Sequence, residues 1–109
     1  AAGIANMNLV IDKDSGVARL VLAAGRFDFK QYETFKSAYE PALETPEVEE
    51  IRVDFGAVSY IDSSALGMLL LLKEKSEEHE KEVVLSNCNE TVKQVIRTVN
   101  FHRLFAMEE

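Results

Sequence analysis

Two rhythms of apolar and polar positions run along the chain, and each change of rhythm marks an element. Met7-Asn8-Leu9-Val10-Ile11 reads as a first strand, and Asp12-Lys13-Asp14-Ser15-Gly16 as a hairpin turn. Val17 to Ala23 reads as a second strand through Val17, Leu20, Val21 and Leu22, and Gly25-Arg26-Phe27-Asp28 then breaks the pattern. From Lys30 to Leu43 the apolar positions Tyr32, Phe35, Tyr39, Ala42 and Leu43 share one helical face. Pro41 sits late enough to shorten or kink that helix. After an acidic loop from Glu44 to Glu50, Ile51 to Phe55 gives a third strand. A second helix is predicted from Ser63 to about Glu78, apolar nearly all round in its first half and solvated from Lys73 onward. Glu82 to Ser86 is a fourth strand. Val92, Val95, Ile96 and Val99 mark a third helix capped by Asn89, and Phe101, Leu104 and Phe105 a terminal helical turn.

Strands and helices alternate after the initial hairpin. That order predicts an α/β fold with a four-stranded mixed sheet, right-handed crossovers and helices packed mainly on one face. The expected core is Leu20, Leu22, Phe35, Val53, Phe55, Leu66, Leu69, Leu70, Val84, Val95 and Ile96.

The bulk properties narrow the possible functions. The 109 residues make one domain, and 47% hydrophobic content supports a single core without any Trp. A net charge of −7 argues against nucleic acid and against anionic lipid as partners. The apolar run ending at Leu72 is too short to span a membrane. Cys88 is the one cysteine, so no internal disulfide forms, and with no signal peptide visible the cytoplasm is the expected compartment. Ala1-Ala2-Gly3 lacks a Met and is given no functional weight, and residues 1–6 are expected to be disordered or a cloning remnant.

The chemistry concentrates in Tyr60-Ile61-Asp62-Ser63-Ser64-Ala65-Leu66-Gly67-Met68-Leu69-Leu70, where a strand-like approach becomes a helix. The first N–H groups of a helix lack intrahelical partners, and Ser or Asp there is a natural cap. An anion at that end also meets a favourable dipole. Ser63 therefore reads either as an N-cap or as a phosphoacceptor. Ser64 reads as the true cap or a second acceptor. Asp62 reads as a cap, or as the group that orients a hydroxyl or meets a partner. Asp28, after a Gly turn, reads as an Asx-turn or a helix cap. Gly67 early in a helix costs roughly 1 kcal/mol against Ala, which a close approach of helix to sheet would explain. Met68 reads as core packing or part of an apolar contact patch, and Cys88 as a small buried residue. His79 and His102 have no spacing that suits zinc, and no metal or cofactor is expected.

The strand-to-helix run, together with Val53-Asp54-Phe55, Gly25-Arg26-Phe27-Asp28 and Asn87-Cys88-Asn89-Glu90-Thr91-Val92, resembles the STAS family of bacterial anti-sigma factor antagonists over nearly the whole chain. The resemblance is to the stand-alone, serine-phosphorylated type. It implies a single STAS domain over 1–109 and a partner-switching regulator that is not an enzyme. Ser63, right after the Asp, would be phosphorylated by a serine kinase that is often itself an anti-sigma factor. A PP2C-type phosphatase would reverse this, and a downstream regulator would respond. The resemblance places Asp28 beside the phosphoacceptor. The docking surface would comprise Asp28, Asp62, Ser63, Ser64 and the first turns of the second helix with Met68. Ala65 departs from the glycine often found in the family, with little effect expected because Ala is the better helix former. The alternative is a STAS module that is never phosphorylated and serves structure or ligand binding, as in transporters or stressosome-type assemblies. A serine-nucleophile enzyme would need a base in reach. His79 lies at the far end of the same helix, and there is no G-x-S-x-G elbow.

Overall fold

The computed structural model describes residues 7–108. The expectation for residues 1–6 lies outside the described residues. Strand β1 (Asn8–Asp12) turns into β2 (Val17–Val21). The turn is a hairpin in which Asp12 Oδ1 accepts the Asp14 N–H at 3.1 Å and Gly16 takes a φ of 77°. Gly25, at φ 95°, opens β3 (Gly25–Phe27). A 3-10 turn over Phe29–Gln31 leads into helix α1 (Tyr32–Glu44). Next come β4 (Glu50–Asp54), β5 (Val58–Ile61) and α2 (Ser63–Glu78). They are followed by β6 (Glu82–Ser86), α3 (Glu90–Thr98), a second 3-10 turn over Phe101–Arg103 and β7 (Ala106–Glu108).

The main sheet has five strands in the order β1-β2-β4-β6-β7, and not the four expected. The hairpin pair β1–β2 is antiparallel and the other neighbours are parallel, so the sheet is mixed as its connections require. The added edge strand, β7, is three residues long and exists by pairing in register with Val84, Leu85 and Ser86. Gly25–Phe27 and Val58–Ile61, which the apolar rhythm leaves unassigned, form a separate two-stranded parallel sheet.

One face of the main sheet carries the core. Ala18 and Leu20 of β2, Ile51 and Val53 of β4, and Val83 and Leu85 of β6 pack beneath Phe35, Leu69, Leu72 and Ile96 from the helices. The opposite face is charged, with Arg19 3.2 Å from Asp54, and Arg52 2.8 Å from Glu50 and 3.1 Å from Glu108. Val84 is buried, but strand alternation puts it on this second face, outside the main core cluster. Val95 is only partly buried. Leu70 is not core at all; it is 39% exposed, because the buried stripe of α2 runs through Ala65, Leu66, Met68, Leu69, Leu72 and Ser76. Pro41 neither ends nor shortens α1. Its missing N–H leaves the Ser37 carbonyl without its usual helical donor, and the Thr45 hydroxyl donates to the Pro41 carbonyl at 2.8 Å. Asn89 caps α3 by accepting the Val92 N–H at 2.8 Å, as its position predicts.

Candidate functional site

Strands β3 and β5 run parallel with Phe27 opposite Ile61. Their carboxyl ends therefore release Asp28 and Asp62 side by side, each at the start of a helical segment. Asp28 caps the 3-10 turn, accepting the Lys30 N–H at 3.0 Å, while its own N–H donates to Gln31 Oε1 at 3.0 Å. Asp62 caps α2, its Oδ1 accepting the Ala65 N–H at 3.1 Å and the Ser64 hydroxyl at 2.6 Å. Arg26 joins the two acids: its Nε lies 3.3 Å from Asp28 Oδ2 and its Nη2 lies 3.9 Å from Asp62 Oδ2. The guanidinium also lies over the Tyr60 ring, 4.7 Å from the centroid.

This arrangement decides which of these residues caps α2. Asp62 is the cap, and Ser64 spends its hydroxyl on Asp62. Ser63 is the first residue of α2, is exposed, and its hydroxyl has no hydrogen bond to the described residues. Asp28 is a cap and shares the Arg26 guanidinium with Asp62, the residue before Ser63. Of the two readings of Met68, burial supports core packing, at 4% exposure, and the side chain does not reach the docking surface that the family resemblance implied for it. A run of five apolar residues from Met68 to Leu72 leaves the phase of the helix open, and the buried stripe takes Met68 inward. Gly67 is not in close contact with the sheet: a Cβ there would meet nothing within 4 Å. It shares an exposed face with Ser63 and Leu70 at helical spacing.

Three neighbours of the site were not assigned from the sequence. Arg26 has no signal until the β3–β5 register is known. Phe29 is 65% exposed and stacks on Tyr32 at 5.6 Å, and Tyr60 is 41% exposed. Beside Ser63, a groove of about 500 Å³ opens between α2 and α3, lined by Tyr60, Asp62, Leu66, Val95 and Val99 among others. His79, with Nδ1 2.9 Å from the Lys75 carbonyl, caps the other end of α2 and is remote from Ser63 along the helix.

Gly67 gives a first testable consequence. With open space around it and helical backbone on both sides, Gly67→Ala is expected to raise the unfolding free energy by roughly 0.5–1 kcal/mol. Urea unfolding measures this, and a destabilised variant would mean that the position is packed after all.

The Ser64 hydroxyl bond holds the Asp62 carboxyl below its ordinary value of 3.8; burial opposes this, and the Ala65 and Ser64 N–H groups and Arg26 reinforce it. Burial also opposes the lowering at Asp54, but hydrogen bonds from Gly56, Asn87 and Arg19 outweigh it. A carboxyl lowered on folding contributes stability that is present above its unfolded pKa and is lost as pH falls through the folded one. Asp62→Asn keeps a good cap but cannot titrate. The stability gap between parent and Asp62→Asn is therefore expected to narrow as pH drops below 3.8, with Asp54 still titrating in both proteins. Urea titrations from neutral to acid pH decide it, and a gap constant across that range would contradict the assignment.

Residues 8–109 match the STAS domain family. A STAS-domain containing protein of Pseudomonas aeruginosa (strain UCBPP-PA14) is 41% identical over 81 residues, covering 74% of this chain and 78% of that protein. Among solved structures, the anti-sigma factor antagonist SpoIIAA in its unphosphorylated form superposes with a TM-score of 0.71 at 20% identity, covering 95% of this chain and 88% of SpoIIAA. Its phosphorylated form, from Bacillus, gives 0.69 over 95% and 91% at the same identity. A sulfate transporter family protein of Wolinella succinogenes gives 0.73 at 18% identity, covering 85% and 76%. At these identities the structural likenesses speak for the fold. Among the described residues no helix is long and apolar enough to cross a membrane.

Proposed function

The chain belongs to the STAS domain family, and from that premise we propose that it is an anti-sigma factor antagonist-like regulator that switches protein partners when Ser63 is phosphorylated. The observation that supports this most is the division of labour at the start of α2. Asp62 closes the helix end, Ser64 is bound to Asp62, and the Ser63 hydroxyl stands exposed. Phosphorylating Ser63 breaks no hydrogen bond to the described residues and sets an anion at a helix N-terminus, where the dipole favours it.

On this reading, the unmodified protein meets a serine kinase of the anti-sigma factor type across a surface made by Asp28, Asp62, Ser63 and Ser64. The exposed Phe29, Tyr60, Gly67 and Leu70 enlarge that surface. A PP2C-type phosphatase removes the phosphate, and a downstream regulator is held or released according to which partner is engaged. The reaction belongs to the kinase and the phosphatase; this chain supplies the acceptor hydroxyl and works as a non-enzymatic binding switch in the cytoplasm, where ATP is available. The likeness to a transporter protein keeps one other reading in view, a STAS module with a structural or ligand-binding role and no phosphate.

Mass spectrometry of the protein isolated from its own cell separates the two. The expected result is phosphate on Ser63, absent from Ser63→Ala. Phosphate on Ser64 would move the switch by one residue, and no phosphate on either serine under any growth condition would favour the unmodified module.

A further inference from the structure

We propose that Arg26 is the counter-ion of the Ser63 phosphate, a guanidinium parked between Asp28 and Asp62 that moves onto the phosphate once it is added; the proposal rests on Ser63 being the modified residue. The backbone of Arg26 is fixed, because β3 pairs it with Tyr60. Its side chain is only loosely held and 58% exposed. The 3.3 Å contact with Asp28 is long for a charge-assisted hydrogen bond, which usually measures about 2.7–2.9 Å. The 3.9 Å approach to Asp62 is beyond hydrogen-bond distance. Neither acid needs Arg26 to stay in place, since Asp28 is tied to the Lys30 N–H and Asp62 to the Ala65 N–H and the Ser64 hydroxyl. The guanidinium already reaches the residue directly before Ser63, and its contact with the Tyr60 ring leaves the N–H edge able to turn.

A phosphoserine at position 63 carries about −1.5 to −2 charges and three acceptor oxygens. It would add its charge to a neighbourhood that already holds two carboxylates, with Arg26 the cation paired to both. A planar fork of N–H donors meets a phosphate with two parallel bonds, better than it is met at present by either carboxylate. Phosphorylation therefore alters more than one residue of the surface. It adds the phosphate, draws the guanidinium away from Asp28 and Asp62, and leaves those acids exposed to the partner.

The test needs no kinase. Phosphoserine is placed at position 63 during translation, and the phosphate is titrated by phosphorus NMR in the parent, Arg26→Gln and Arg26→Lys. Working in about 0.5 M salt screens exposed charges that are not in direct contact. The second phosphate pKa, ordinarily about 6, is expected to be lower in the parent than in Arg26→Gln by at least about half a unit, with Arg26→Lys between them. Thermal unfolding of the same samples confirms that each is folded. Equal pKa values in parent and Arg26→Gln would overturn the proposal. A clear shift combined with no phosphate on Ser63 or Ser64 in the native cell would sustain the arginine contact and end the partner-switching reading instead.

Discussion

Phosphorylated on Ser63, the protein is expected to bind its kinase-type partner roughly 100-fold more weakly, about 3 kcal/mol, while its thermal midpoint hardly moves. The two halves of this expectation have separate causes. Folding is spared because Asp62 holds the helix end and the Ser63 hydroxyl has no bond to lose among the described residues. The added anion at a helix N-terminus contributes about 0.3–1 kcal/mol in the stabilising direction. Binding suffers because docking would strip water from a group bearing about two negative charges, which costs several kcal/mol unless the partner answers each charge. Asp62 and Asp28 add like charge beside it. Ser63→Asp is expected to act in the same direction with a smaller effect, having one charge and a shorter reach. Calorimetry with the cognate serine kinase and thermal unfolding, on the same phosphorylated and unmodified samples, give both numbers. Tighter binding of the phosphorylated form, or loss of its folding transition, would refute the mechanism.

Phe27→Ala is expected to lower the unfolding free energy by roughly 3–5 kcal/mol, a large part of the ~5–15 kcal/mol that holds a typical domain. Phe27 is 1% exposed and meets Phe35 edge-on at 5.1 Å and Phe55 at 6.1 Å. Its strand is three residues long and, among the described residues, pairs only with β5. That ring is the inward anchor of β3, and Arg26 and Asp28 flank it on the same short segment. The variant should therefore loosen the site as well as the core. Phe29→Ala, two residues on and 65% exposed, is expected to change stability by less than about 0.5 kcal/mol. Urea unfolding of both variants checks the contrast, and similar losses would mean that the aromatic cluster does not anchor β3.

The sequence was most legible where local chemistry and burial agree. Helix α2 begins at Ser63 and ends at Glu78 as its spacing predicts, because a capping Asp precedes an apolar stripe and a charged run follows it. The Asn89 cap and the β6 boundaries were readable for the same reason. Strands β3, β5 and β7 were not. In Val58–Ile61 only the two end residues are buried, so no alternation shows, and β7 is three residues defined by a partner about twenty positions earlier. Leu70 was assigned to the wrong side of α2, and Met68 was left between core and contact patch, because consecutive apolar residues carry no phase. At the site, Asp62, Ser63 and Ser64 could be read as one constellation, and the place of Asp28 came from the family resemblance. Arg26 was out of reach, since its meeting with Tyr60 and Asp62 depends on a strand register between segments more than thirty residues apart.

Because the Asp62 side chain caps α2 and Ser63 is exposed, substitutions at position 63 are expected to leave the fold intact. If Ser63 is the switch proposed above, substitutions there are expected to silence the response, fix it in one state or retune it, while the resulting proteins still accumulate at normal levels. In a genetic screen, alleles at 63 should therefore give intact, abundant protein with altered signalling, and can interfere with a wild-type copy by occupying its partners. Alleles at Phe27 should behave as recessive losses of protein, and those at Asp62 should lower abundance only where the new residue cannot cap the helix. Abundance set against output would then sort substitutions around this helix start without any knowledge of the partner.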